Sequence, residues 1–230
     1  MPRCAPACRN TSKVSDYMLP YTAEALFALF DEYNRAIRPV PAIALFFSAA
    51  ALTLAVRARM DRSRIILAIL AAGWLWTGAV YHLAFFTGLN FAAPVYGAVF
   101  ILQGLLLVWT GIIRRRISIR VDPGITVWTG VGIGVISAAI LPIFDWQTGA
   151  GWTDARFALI APGATAGFTI GQLMLSDGRP PLHLVAIPIL WTFVTGLHAW
   201  PLDIPQDYLL PVIGIAAVFQ ALKSIRRRPT

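Results

Sequence analysis

The chain reads as long apolar runs separated by short polar connectors. Continuous apolar stretches occupy about residues 40–56, 65–87, 94–113, 125–144, 157–175, 182–200 and 208–222. Most approach the roughly 20 residues that a helix needs to cross a hydrocarbon core about 30 Å thick; the first and last are the shortest. Their apolar residues follow one another without the alternation that a membrane β-barrel strand requires. A helix also pairs the backbone amides within its own segment, as lipid demands. The pattern predicts an all-α, polytopic bundle of about seven transmembrane helices.

Residues 22–37, TAEALFALFDEYNRAI, break that pattern. Glu24, Asp31, Glu32 and Arg35 bar the segment from the bilayer interior. Leu26, Phe27, Phe30, Tyr33 and Ile37 recur every three or four residues, which gives one apolar face to a helix lying in the membrane interface. Pro39 and Pro41 then end it and turn the chain into the bilayer. The predicted organisation has four parts. Residues 1–17 form a polar extension, disordered or preceding a biological start at Met18. An interfacial amphipathic helix follows within 18–39, then a transmembrane domain over 40–222 and a basic cytoplasmic tail at 223–230.

Composition agrees with this reading. Hydrophobic residues make up 57% of the chain and charged residues 13%, against about 25% charged in a soluble domain; the mean hydropathy is +0.67. The net charge of +8 would suggest nucleic acid in a soluble protein. Here the bases cluster at the ends of apolar runs, no nucleic-acid-binding motif is present, and the lipid bilayer is the expected partner. The connectors 57–64, 114–124 and 176–181 and the C-terminus together hold 13 of the 19 basic residues, whereas the alternate connectors 88–93, 145–156 and 201–207 hold Arg156 alone. The positive-inside rule then puts the C-terminus in the cytoplasm and the N-terminus outside. The same clusters suit anionic lipid headgroups.

Catalytic chemistry finds little footing. No HExxH, GxSxG or P-loop pattern occurs. The three histidines are scattered, and Cys4 and Cys8 supply too few ligands for a structural zinc site. Neither an enzyme nor a cofactor or metal is expected.

Polar groups inside apolar spans are the candidates for function, because their burial in lipid is costly. Spans two and three resemble spans six and seven. Pro94, Val95, Gly97 and Gln103 match Pro211, Val212, Gly214 and Gln220 at the same offsets; Trp76-Thr77 precedes His82 as Trp191-Thr192 precedes His198. This suggests a parallel three-one-three repeat, an architecture shared with the SWEET and PQ-loop transporters, although no convincing PQ motif of theirs is present and the resemblance is architectural only. Trp to His spans six residues in one copy and seven in the other, so chance similarity between apolar helices also stands. If the repeat holds, a ligand site lies between the halves, lined by Tyr81, His82, Gln103, Trp191, His198 and Gln220, with a small-molecule solute as the partner. The alternatives are interfacial aromatic-belt roles for the histidines and interhelical hydrogen bonding for Gln103, Gln172 and Gln220. Asp145, Asp154, Asp203 and Asp207 make an acidic outer rim, read either as a cation attractor or as solvated loop. Gly130 and Gly134, and Gly163, Gly167 and Gly171, are spaced for close helix approach.

Three stretches, MLPYTAEALFALFDEYNRAI, WLWTGAVYHLAFF and YGAVFILQGLLL, resemble a bacterial family of multi-span membrane proteins catalogued as a domain of unknown function. The resemblance covers residues 18 to about 225. It implies a start at Met18 and residence in the bacterial inner membrane. Members are sometimes labelled permeases, and a permease-like transport role, or alternatively a membrane binding, scaffold or sensor role, is what the resemblance and the candidate site together lead us to expect.

Overall fold

The structure is a computed structural model that describes residues 19–57, 62–119, 125–147, 151–176 and 181–226, with backbone alone for 125, 126 and 223–226. The expectations placed on Cys4, Cys8, Met18, the 1–17 extension, Arg59, Arg120, Arg179, Arg227 and Arg228 lie outside the described residues, as do the side chains of the basic tail.

Helix α1 (Ala23–Ala36) begins where Thr22 Oγ1 accepts a hydrogen bond from the Ala25 amide at 3.3 Å, with Glu24 in its first turn and Arg35 in its last, each complementing the helix dipole. Its buried face carries Leu26, Phe30 and Tyr33, the spacing read from the sequence. The chain then bends by 90° into α2 (Val40–Val56), with Pro41 in the first turn, where a missing N–H costs nothing. There follow α3 (Arg62–Gly88), α4 (Ala93–Ile113) and α5 (Val127–Asp145), α6 (Pro162–Met174), α7 (Leu182–Leu202), and α8 (Leu209–Arg226) led by a 3-10 turn at Pro205–Tyr208. Among the described residues the only β pairing is an isolated antiparallel bridge between Ile119 and Ser176.

Five segments (α3, α4, α5, α7 and Pro205–Leu222) are long and apolar enough to cross a membrane, and the bent pair α1–α2 would make a sixth. The fifth run departs from expectation. Its helix does not start at residue 157 but at Pro162, because a residue before proline is driven out of the α region; Ala161 is extended, with φ −111° and ψ 136°. The 13 residues of α6 rise about 20 Å, short of the hydrocarbon thickness. Every residue from Ala164 to Met174 is buried, so α6 is a central strut encased by its neighbours.

The segment Ala155–Ala161 that feeds α6 is irregular and buried. Such backbone survives at depth only where protein pairs its carbonyls. Asn34 Nδ2 donates to the carbonyls of Thr153 (2.7 Å) and Ala155 (2.9 Å), Thr77 Oγ1 to that of Leu159 (3.3 Å), and Tyr33 Oη to that of Ile160 (3.1 Å). Trp76 Nε1 holds the Tyr33 hydroxyl at 2.9 Å. Gly73 makes room for the segment: a Cβ there would lie 2.9 Å from Leu159 Cα.

Among the described residues, arginines gather at one end of the bundle and the carboxylates at the other. At one end Ser63 Oγ accepts from the Ile119 amide at 2.8 Å, the Ile119–Ser176 bridge forms, and Thr110 meets His183 at 3.0 Å; Arg57, Arg62, Arg64 and Arg114–Arg116 sit around it. The opposite end carries α1, Asp145, Arg156 and Asp207. Between the ends, α5 and α6 pack backbone to backbone. A Cβ on Gly171 would lie 2.7 Å from Gly134 N and 2.8 Å from Gly130 O. Gly171→Ala is therefore expected to cost about 1–3 kcal/mol, read as a lowered thermal-unfolding midpoint in detergent. Gly132→Ala on α5, where a Cβ meets nothing within 4 Å, should leave the midpoint unchanged or slightly raised.

Candidate functional site

The non-basic end is organised around one guanidinium. Arg156 sits in the buried segment before α6 and is 9% exposed. Its Nε and backbone N–H both donate to Asp145 Oδ2 at 2.9 Å, its Nη2 donates to Asp145 Oδ1 at 2.6 Å, and its Nη1 donates to Asp207 Oδ2 at 2.7 Å. Gln206 Nε2 adds a bond to Asp145 Oδ1 at 3.0 Å, and the Phe27 ring of α1 lies under the guanidinium at 5.4 Å. Asp145 ends α5, Arg156 precedes α6 and Asp207 precedes α8, so three parts of the chain are tied at one point. Burial alone would lower the Arg156 pKa, but the fields of Asp207 and Asp145 and their hydrogen bonds outweigh it and raise it. The cation persists at every workable pH.

The sequence reading of Asp145 and Asp207 as solvated rim is corrected here: they are 0% and 4% exposed. The reason is the partner. A carboxylate enters a low-dielectric site only beside a cation and hydrogen-bond donors, and Arg156 is the cation that both carboxylates share. The available signal was that Arg156 is the lone base among the acidic-side connectors, set within the apolar stretch 155–161.

Directly beside this cluster lies a cavity of about 70 Å³. Its wall brings together parts of α1, α3, α4, α5, α6, α7 and α8, and includes Arg156 and Asp207. Four of the six residues singled out from the sequence (Tyr81, His82, Trp191 and His198) line it. The helix carrying Tyr81 and His82 is wound as a π-helix over Thr77–Phe85, closed by the Phe86 amide on the Tyr81 carbonyl. Thr77, Gly78, Tyr81 and His82 are all buried on its inner side. Tyr81 stacks on Phe30 at 5.0 Å and on Phe86 at 5.5 Å. His82 is 0% exposed and wedged among the rings of Tyr96, Phe100 and Trp191 at 4.7–5.9 Å. Neither of its ring nitrogens has a hydrogen-bond partner, nor has Trp191 Nε1. Tyr21, just before α1, faces His198 edge-on at 6.5 Å. Its burial, with Tyr96 nearby, pushes the phenol up to about 12 against the opposing pull of Asn90, which keeps it a neutral donor.

Gln103 and Gln220 lie elsewhere. Gln103 is fully buried, and its Nε2 donates to the Leu184 carbonyl at 2.8 Å. That carbonyl's helical partner would be residue 188, a proline with no N–H; Gln103 thus repairs the gap that Pro188 opens in α7. Gln220, on α8, is half-buried and also outside the cavity wall. Trp76, the sequence counterpart of Trp191, is bonded to Tyr33 and faces a broad apolar groove between α2 and α3.

Fold and site together define a class: a helical bundle compatible with an integral membrane protein, with a small cavity sealed on one side by a buried ion-pair cluster. More particularly, the chain belongs to the family of unknown function DUF6064, which matches residues 23–229. No curated protein and no solved structure matches it.

Replacing Arg156 with Met strands two buried carboxylates, a loss of about 3–5 kcal/mol for a broken buried pair. Arg156→Met is expected to abolish a monodisperse, cooperatively unfolding species in detergent. The triple change Arg156→Met, Asp145→Asn, Asp207→Asn should restore much of it, as judged by size-exclusion profile and thermal unfolding.

Proposed function

We propose that this protein is a multi-pass permease-like carrier of the bacterial inner membrane, binding a small polar solute in the cavity between α3–α4 and α7–α8. The observation that carries this reading is the unpartnered, fully buried imidazole of His82 in the wall of that cavity. A buried polar group without a partner costs about 1–3 kcal/mol, and a ligand that bonds to it recovers that cost. The π-helical winding at Tyr81 and His82 supports the same reading, since such windings recur at functional sites.

Topology supports it too. α6 runs antiparallel to α5 and returns the chain from Arg156 to Ser176, beside Ile119. That sense is compatible with seven passes, a cytoplasmic basic end and an outward-facing acidic end. Below His82 the rings of Phe100 and Trp74, 4.3 Å apart and fully buried, close the way toward the basic end. A carrier would therefore have to rock its helix pairs to expose the cavity alternately. The same closure favours a second reading, a membrane sensor that binds the solute without passing it; in neither case is the protein an enzyme.

The test is solute permeation into proteoliposomes. Small polar solutes should enter faster than into protein-free vesicles, and Thr195→Phe, which fills the cavity from α7, should reduce entry at least tenfold. Entry at the protein-free rate, with stabilisation of the purified protein by the same solutes, would replace the carrier with the sensor. Neither entry nor stabilisation would dispose of both.

A further inference from the structure

Resting on that reading of the cavity, we infer that its ligand is a small protonated amine, a monovalent ammonium-type cation of up to about five heavy atoms.

Four observations converge. The first is charge. The cluster in the cavity wall holds two carboxylates against one guanidinium, a formal charge of −1. Among the described residues, the end that bears the cavity has seven carboxylates (Glu24, Asp31, Glu32, Asp145, Asp154, Asp203 and Asp207) against three arginines (Arg35, Arg38 and Arg156). A concave site with low-dielectric walls focuses such a field and concentrates cations at its mouth.

The second is the wall itself. Six aromatic rings stand in it among aliphatic side chains: Tyr21, Phe30, Tyr81, Phe86, Tyr96 and Trp191, with Tyr81 stacked on Phe30 and Phe86. Ring faces attract a desolvated cation more strongly than a hydrated one, and rings grouped around a pocket are the means by which ammonium groups are recognised. The third is the acceptor. A neutral imidazole has one nitrogen that accepts a hydrogen bond, and His82 has no protein partner. Both ring nitrogens are sealed by the surrounding rings, so a small rotation of the imidazole would bring one to an N–H of the amine, while Asp207, bonded to Arg156 through Oδ2, lies in the same wall. The fourth is size. At about 10–15 Å³ for each water-sized position, a cavity of about 70 Å³ holds roughly five such positions.

Metal ions are a poorer fit. Among the described residues no three His, Cys, Asp or Glu side chains converge as ligands, and Asp145 has its oxygens committed to Arg156 and Gln206. An amine needs no such ligand set.

The probe is methylammonium chloride, compared at equal ionic strength with sodium chloride, sodium acetate and neutral acetamide, using the full-length protein in detergent. Methylammonium should raise the thermal-unfolding midpoint in a saturable manner, and the three comparison solutes should not. His82→Leu and Tyr96→Leu should each weaken the apparent affinity at least tenfold. Tyr96 is half-buried and outside the ion-pair cluster, so its variant tests the site even if a change at Asp207 prevents folding. Equal stabilisation of wild type and both variants overturns the inference. Stabilisation by acetamide but not methylammonium, lost in Thr195→Phe, overturns the cationic ligand and leaves the cavity reading standing. If no probe stabilises the protein the inference falls, and proteoliposome permeation at the protein-free rate would then remove the cavity reading as well.

Discussion

A guanidinium enclosed in an apolar bundle is tolerable only when its charge and its donors are matched. Arg156 meets that condition by contacting Asp145 and Asp207, which lie 11 and 51 residues away. Much of the architecture around it follows. The end of α5, the start of α8 and the segment leading into α6 must meet at one place, and each is fixed there by a charge-assisted bond. The alternative, an unpaired ion in low dielectric, is so costly that few other arrangements of this end compete. A contact that adds little net stability over an apolar substitute can still specify the fold in this way.

The segment 155–161 shows the same constraint acting on backbone. It carries Arg156 to the cluster, and it cannot be helical up to Pro162. Its carbonyls are instead paired by Asn34, Tyr33 and Thr77, two of which belong to the buried face of α1. The helix latches the buried segment, and through Tyr21, Leu26 and Phe30 it also closes one side of the cavity. The mouth of the cavity and the stability of the acidic end thus share residues. Gln103 solves a related problem in α7, accepting the cost of a buried amide to pair a carbonyl that Pro188 leaves free.

Most of the helices were legible from local pattern. The amphipathic spacing of Leu26, Phe30 and Tyr33, the bend at Pro39–Pro41, and the runs that became α2, α3, α4, α5, α7 and α8 all follow from the periodicity and continuity of apolar residues, which are properties of neighbours in sequence. The glycines of α5 and α6 were legible for the same reason: their spacing puts them on one face. The start of α6 was misjudged by five residues because hydrophobicity continues through 157–161 while Pro162 governs the geometry. Hydropathy measures burial, and here burial did not mean helix.

The sequence by itself determined that this chain folds as helices long and apolar enough to cross a membrane, which helix is amphipathic, and which end of the bundle is basic, because each depends on composition summed over a local window. Only the tertiary structure decided that Asp145 and Asp207 are buried, that α6 is enclosed by protein, and that Tyr81, His82, Trp191 and His198 surround one cavity while Gln103 and Gln220 do not. Those facts depend on pairings between residues tens to more than a hundred positions apart. A carboxylate in a connector reads as solvated until the arginine that accompanies it into the interior is located in space.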